Sequence, residues 1–261
     1  RAMESVDTYW SDRAALEWQV EMGATEAILD APLNRYEVPE KIAKPVIAQK
    51  PKGPPPIPVP VAVDCVAEAK AAAAGAANLD GLQAALDAFQ HCDLKKGARK
   101  MIFGEGDPAS RVMIVGEAPT TLEDRAGQPF VGDMRTLLDN MFGAIDMGVG
   151  HDDATRRIYL TAAFPWSAGN VAPTLIDIQM ITPFLERHIA LANPDVVVLM
   201  GNTACQMLLG KTGVSRLRGT WADVMGRPAL AMNHPAQLIR DPSGKRDAWA
   251  DLLALKAKLE S

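Results

Sequence analysis

Two short blocks hold most of the residues in this chain that could do chemistry. The later one, Asn233 to Trp249, reads NHPAQLIRDPSGKRDAW, and the earlier one, Gly116 to Gly132, reads GEAPTTLEDRAGQPFVG. In the later block Pro235 fixes the backbone beside His234. An imidazole held that way is suited to donating a hydrogen bond to a carbonyl oxygen on which negative charge develops. The earlier block supplies carboxylates, Glu117 and the adjacent pair Glu123 and Asp124, and one aromatic ring, Phe130, between Pro129 and Val131. The adjacent pair also reads as a solvated turn, with Asp124 holding its loop or capping a helix. Metal chemistry is not expected. Cys65, Cys92 and Cys205 lie far apart, form no C-x-x-C pair and match no zinc spacing, so they read as buried thiols.

The elements that must position these residues are legible from apolar periodicity. Four short runs rich in β-branched residues, Arg111–Gly116, Arg157–Ala163, Asp195–Gly201 and Ala229–Asn233, read as strands buried on both faces. Helical periodicity separates them at Asp133–Phe142, Leu175–Leu191 and Thr203–Leu209, and a last helix covers about Lys245–Leu259. Alternation of this kind predicts an α/β fold with a central parallel four-stranded sheet flanked by helices. Functional residues then collect at the carboxyl ends of the strands, where both blocks begin. Upstream, an alanine-rich stretch from Asp64 to Phe89 reads as helix interrupted near Gly75–Asp80. The expected organisation is an N-terminal helical segment over 1–43, a proline-rich linker over 44–63 and an α/β domain over 64–261.

Charge and hydropathy narrow the setting. The chain of 261 residues is 48% hydrophobic with a net charge of −5. From Gly201 onward, however, nine Lys and Arg face five Asp and Glu, a basic end on an acidic body. No apolar run approaches the roughly 20 residues that span a bilayer. No membrane association is expected, and the expected location is cytoplasmic.

The two blocks, in this order and each after a strand, resemble the uracil-DNA glycosylase superfamily. The match is closest to its family 4 pattern of G-E-x-P-G, then E-D, G-x-P-F-V-G and H-P-x-x-L-x-R. Gly201–Gly210 and Ser215–Trp221 look like that family's connecting blocks. The resemblance covers roughly Cys92 to the C-terminus and implies a three-layer fold that cuts the N-glycosidic bond of a base flipped out of DNA during base-excision repair, in association with the nucleoid. On the matched positions, His234 would stabilise the departing base and Glu117 would organise the attacking water. Ala118 and Thr120 would line the base pocket, Glu123 would crowd the place where thymine carries its methyl, and Phe130 would stack on the base. DNA also needs phosphate grips. The N–H groups of Asn202 and Thr203 at a helix start, with Arg216, Arg218, Arg240, Lys245 and Arg246, are the candidates. Leu238 or Ile239 could wedge into the gap left by the base.

Three departures from the pattern bear on function. Family 4 members hold a four-iron iron–sulfur cluster on four cysteines, and only Cys92 matches. The other three positions fall at Lys95, about Trp166 and about Ile181, none of which ligates iron, so no cluster is expected and Trp166 and Ile181 would fill its space. Ala162 stands where the family has an asparagine that reads the uracil edge, leaving Asn170 or Asn233 as the nearby amides. Thr120 replaces a glycine, adding bulk and a hydroxyl. The expected substrate is uracil first, with xanthine, hypoxanthine or a bulkier pyrimidine as alternatives. A DNA-binding relative without chemistry is the competing reading.

Overall fold

The computed structural model describes residues 6–23, 64–167 and 172–261. The expected proline-rich linker, Asn170 and most of the N-terminal segment lie outside the described residues. Within that segment one helix, α1 (Val6–Glu21), is described. It forms a unit separate from the body, which begins near Asp64.

The body opens with α2 (Cys65–Gly75), α3 (Leu79–Ala88) and α4 (Asp93–Gly97). The interruption between α2 and α3 has a local cause. Asn78 starts α3 by accepting the Gly81 N–H at 2.8 Å, as Asp64 starts α2 by accepting from Val66 and Ala67. There follow β1 (Val112–Gly116), α5 (Thr121–Ala126), α6 (Asp133–Gly143), β2 (Ile158–Ala162), α7 (Leu175–Ala192), β3 (Val196–Met200), α8 (Asn202–Leu209), α9 (Val214–Leu217), β4 (Trp221–Val224), β5 (Arg227–Met232), α10 (Pro235–Arg240) and α11 (Lys245–Leu259).

The sheet runs β2-β1-β3-β5-β4, with the first four strands parallel and β4 antiparallel at the edge. The expected four parallel strands are there. The fifth was not anticipated, because Trp221–Val224 is short and only its last residue is buried. It forms through a two-residue hairpin turn in which Met225 (φ 55°) and Gly226 (φ 79°) both take left-handed conformations, the geometry that matches strand twist. The other edge is covered as well. Glu105 and Leu160 exchange backbone hydrogen bonds of 2.8 and 2.9 Å, pairing the incoming loop with β2.

Residues of β1, β2 and β3 are buried along their whole length, because helices cover both sheet faces. Side chains alternate between two cores. Met113, Val115 and Val197 pack with Leu82, Phe184 and Ile189 of α3 and α7. Val112, Ile114 and Val198 pack with Leu138, Phe142, Leu252 and Leu255 of α6 and α11. In a sheet of this order the binding crevice belongs at the carboxyl ends of β1 and β3, where the strand order reverses. The loops after β1, β3 and β5 all open at this end of the sheet.

Candidate functional site

Phe130 and His234, separated by more than a hundred residues, meet at this crevice. Their rings stack with centroids 5.3 Å apart and planes 23° from parallel. The tip of the Phe130 ring also abuts the end of β1, where a Cβ on Gly116 would stand only 2.7 Å from its Cζ. Only glycine fits there. Beside it, Ala162 is the strand partner of Gly116 and is buried, so a methyl group faces the site from β2.

Phe130 is held in a left-handed backbone conformation (φ 54°), which costs a non-glycine residue energy and needs external fixing. Glu123 supplies it. Its Oε1 accepts the Phe130 N–H at 2.7 Å, while Oε2 accepts the Thr120 N–H (2.7 Å) and hydroxyl (2.8 Å). Thr120 and Glu123 form a reciprocal capping box at the start of α5. Both carboxylate oxygens of Glu123 are therefore engaged with the protein itself, and the residue positions Phe130. The Thr120 hydroxyl is committed to the same box. Asp124 does hold its loop, accepting the Arg99 N–H at 2.8 Å.

His234 is the N-cap of α10, with Pro235 at the first helical position. Its Nδ1 accepts the Ala236 N–H at 3.3 Å. Burial, aided by the Arg240 charge, pushes its pKa down to about 4, so the ring is neutral at pH 7. A neutral ring that accepts at Nδ1 must carry its proton on Nε2. That nitrogen has no hydrogen-bond partner among the described residues and is not one of the fully enclosed atoms. The fold thus presents one N–H donor beside the aromatic ring.

Glu117 follows β1, and its carboxylate reaches the start of α8. It accepts the N–H groups of Asn202 and Thr203 and the Thr203 hydroxyl. Gly201 (φ 107°) has no room for a Cβ because Glu117 fills that space. The positive helix end expected to bind a DNA phosphate therefore already holds an internal carboxylate. The Asn202 side chain is engaged too, accepting from Gly213 and Val214 at 2.9 Å each. Ala118, half-buried, packs against the core behind this loop.

The cationic residues divide. Arg216, Arg240, Lys245 and Arg246 are exposed and form no ion pair among the described residues. Arg218 differs. It grips the buried Asp251 of α11 through two bonds of 3.0 and 2.9 Å and also pairs with Asp247, so it ties the chain before β4 to α11 and is not free for phosphate. Leu238 is likewise corrected: it is 1% exposed, whereas Ile239 is 42% exposed and is the apolar side chain available as a wedge.

The residues at the implied cluster positions do not fit an iron–sulfur group. The Cys92 thiol is buried 3.9 Å from Asp177 Oδ1, and burial with that neighbouring carboxylate pushes its pKa up to about 11, against the thiolate that iron requires. The Lys95 ammonium lies 5.5 Å from the Trp166 ring centroid, and Trp166 and Ile181 belong to the same apolar core as Cys92. Among the described residues, no three His, Cys, Asp or Glu side chains are grouped to hold a metal ion.

The chain is thus a doubly wound α/β protein whose strand-end loops bring a neutral histidine onto a phenylalanine at the reversal point of the sheet, the place where ligands bind in such sheets. Residues 103–253 match the uracil DNA glycosylase superfamily, more than half the chain, and the protein belongs to that superfamily. It is 28% identical over 184 residues to a type-4 uracil-DNA glycosylase of Archaeoglobus fulgidus, covering 67% of this chain and 89% of that protein. It is 29% identical over 157 residues to a type-4 uracil-DNA glycosylase of Thermotoga maritima, covering 59% and 79%.

Proposed function

We propose that this protein is a DNA glycosylase of base-excision repair that hydrolyses the N-glycosidic bond of uracil in DNA. The observation that carries the reading is the neutral His234 ring, its Nε2–H free, stacked beside Phe130 at the sheet's reversal point. In this reaction the C1′–N bond breaks, its electron pair leaves with the base, water adds its oxygen to C1′, and the proton that water releases neutralises the departed base anion. Negative charge grows on the base carbonyl oxygen, where a fixed N–H donor in a water-poor site stabilises it. Phe130, 1% exposed in the free protein, would stack on the extrahelical base once the site opens to admit it. Glu117, anchored on the start of α8, orients the water. The exposed Arg216, Arg240, Lys245 and Arg246 supply phosphate contacts, with Ile239 as the wedge.

The chemistry is assigned to a protein without an iron–sulfur cluster, the packed set of Cys92, Lys95, Trp166 and Ile181 taking its place. Anaerobically purified protein is expected to contain no stoichiometric iron and to lack iron–sulfur absorbance; either signal contradicts this assignment. Residues 1–43 are read as an accessory segment, 44–63 as its linker and 64–261 as the catalytic body.

Ala162 favours one second reading, a relative that binds damaged DNA without cutting it, because a methyl cannot pair with a base edge. Oligonucleotides that each carry one altered base, incubated with the protein and then treated with alkali, separate the two. Excision is expected from uracil-containing DNA. Tight binding with no alkali-sensitive site for any base would support the second reading instead.

A further inference from the structure

Among the described residues, one buried side-chain polar atom has no hydrogen-bond partner, and it lies next to the histidine of the site: Oδ1 of Asn233. An enclosed acceptor without a donor is a standing cost in the free protein, and such atoms call for an explanation. Asn233 is 5% exposed and joins the end of β5 to His234. Its backbone is fixed on both sides. The Met232 carbonyl accepts the Gly201 N–H at 3.2 Å, and His234 caps α10. The side chain lies over Gly244, where a Cβ would stand 3.2 Å from Asn233 Nδ2 and 3.1 Å from Leu238 Cδ2. The amide thus lies beside Leu238 of α10 and Gly244, the residue before α11, which begins with Lys245 and Arg246.

We propose that Asn233 reads the bound base, its side-chain oxygen, enclosed in the free protein, being uncovered as the extrahelical nucleotide enters and accepting a hydrogen bond from a ring N–H of that base; this rests on the glycosylase reading above. The chemistry of the ligand selects the partner. The sugar–phosphate backbone within a DNA strand offers only acceptors, so a donor must come from a base edge. Ring N–H groups also mark deamination. Cytosine presents a bare N3 where uracil carries N3–H, and adenine presents a bare N1 where hypoxanthine carries N1–H. A fixed acceptor repels the parent bases and pairs with their deaminated products. With a methyl at Ala162, Asn233 becomes the specificity-determining amide of the pocket.

The test compares wild type with Asn233→Leu, which has nearly the same size and no polar atom, and with Asn233→Ala. Both variants are expected to melt at or near the wild-type temperature, since no bond within the protein is lost. Asn233→Leu is expected to excise uracil with kcat/KM lower by about 10- to 100-fold and to lose part of the preference for uracil over cytosine. Wild-type kcat/KM and unchanged preference in the leucine variant would overturn the proposal. So would a marked fall in melting temperature in both variants, because the oxygen would then have a partner in the free protein. Wild type inactive on every base would count against the glycosylase reading alone. The proposal is then read from affinity: wild type should hold uracil DNA more tightly than cytosine DNA, Asn233→Leu should not, and equal wild-type affinities overturn it.

Discussion

At His234 one ring nitrogen serves the helix and the other is left for a ligand, so the proton's place follows from the cap. Nδ1 accepts from Ala236, which leaves Nε2 as the donor, and burial holds the pKa near 4. His188 is shifted to about 4 as well, by burial against Phe103 and Tyr159. Both folded values lie below the ordinary 6.5. The unfolded chain therefore takes up protons as pH falls through 6.5, and the folded protein does not until about 4. Stability held above pH 6.5 is lost progressively across that window, on the order of a few kcal/mol for the two rings together. Denaturant titrations at pH 7 and pH 5 check this, and replacing His188 with Gln should flatten the dependence. Excision should show no acid limb near pH 6.5 attributable to His234. The meeting of His234 with Phe130 was legible through the family resemblance of the two blocks, each of which follows a strand. They did not disclose what Glu123 does. Its two bonds to the Thr120 and Phe130 backbone depend on the loop's path, and the left-handed Phe130 depends on them. Glu123→Ala should cost about 1–3 kcal/mol by denaturant melts and lower excision further through a misplaced ring.

Among the elements, the link between β1 and α8 matters most for the site. Glu117 leaves β1 and closes the positive end of α8, so the two strands flanking the crevice are joined by a carboxylate. Glu117→Ala is expected to destabilise the protein by about 1–2 kcal/mol, the size of a lost helix cap. It should also slow excision more than it weakens binding to uracil DNA, which single-turnover rates and affinities measured side by side will separate. This cap was invisible in the sequence because its partners lie some eighty-five residues apart and neither block signals the other. The same holds for Arg218, whose position in a basic stretch suggested phosphate while its partner, Asp251, lies 33 residues downstream on α11. The four parallel strands and the long helices were legible because their periodicity is continuous. β4 was not, being four residues long, half exposed and formed only through its turn.

At the scale of the α/β body, a basic C-terminal stretch follows an acidic remainder, and its unpaired cations Arg240, Lys245 and Arg246 run from the last turn of α10 to the first turn of α11. The sheet gathers the ends of β1, β3 and β5 into one crevice, and the apolar packing around Cys92 and Trp166 supports its far layer with no metal ligand set among the described residues. On the proposed reading the charge growing on the base falls to a single donor, His234, which makes one substitution decisive. The measurement is the single-turnover excision rate of His234→Ala on duplex DNA with one uracil, alongside its affinity for that duplex. The rate should fall by about 10²- to 10³-fold, the usual cost of removing a fixed donor from developing charge, while affinity stays close to wild type. A variant that excises uracil at the wild-type rate would contradict the account.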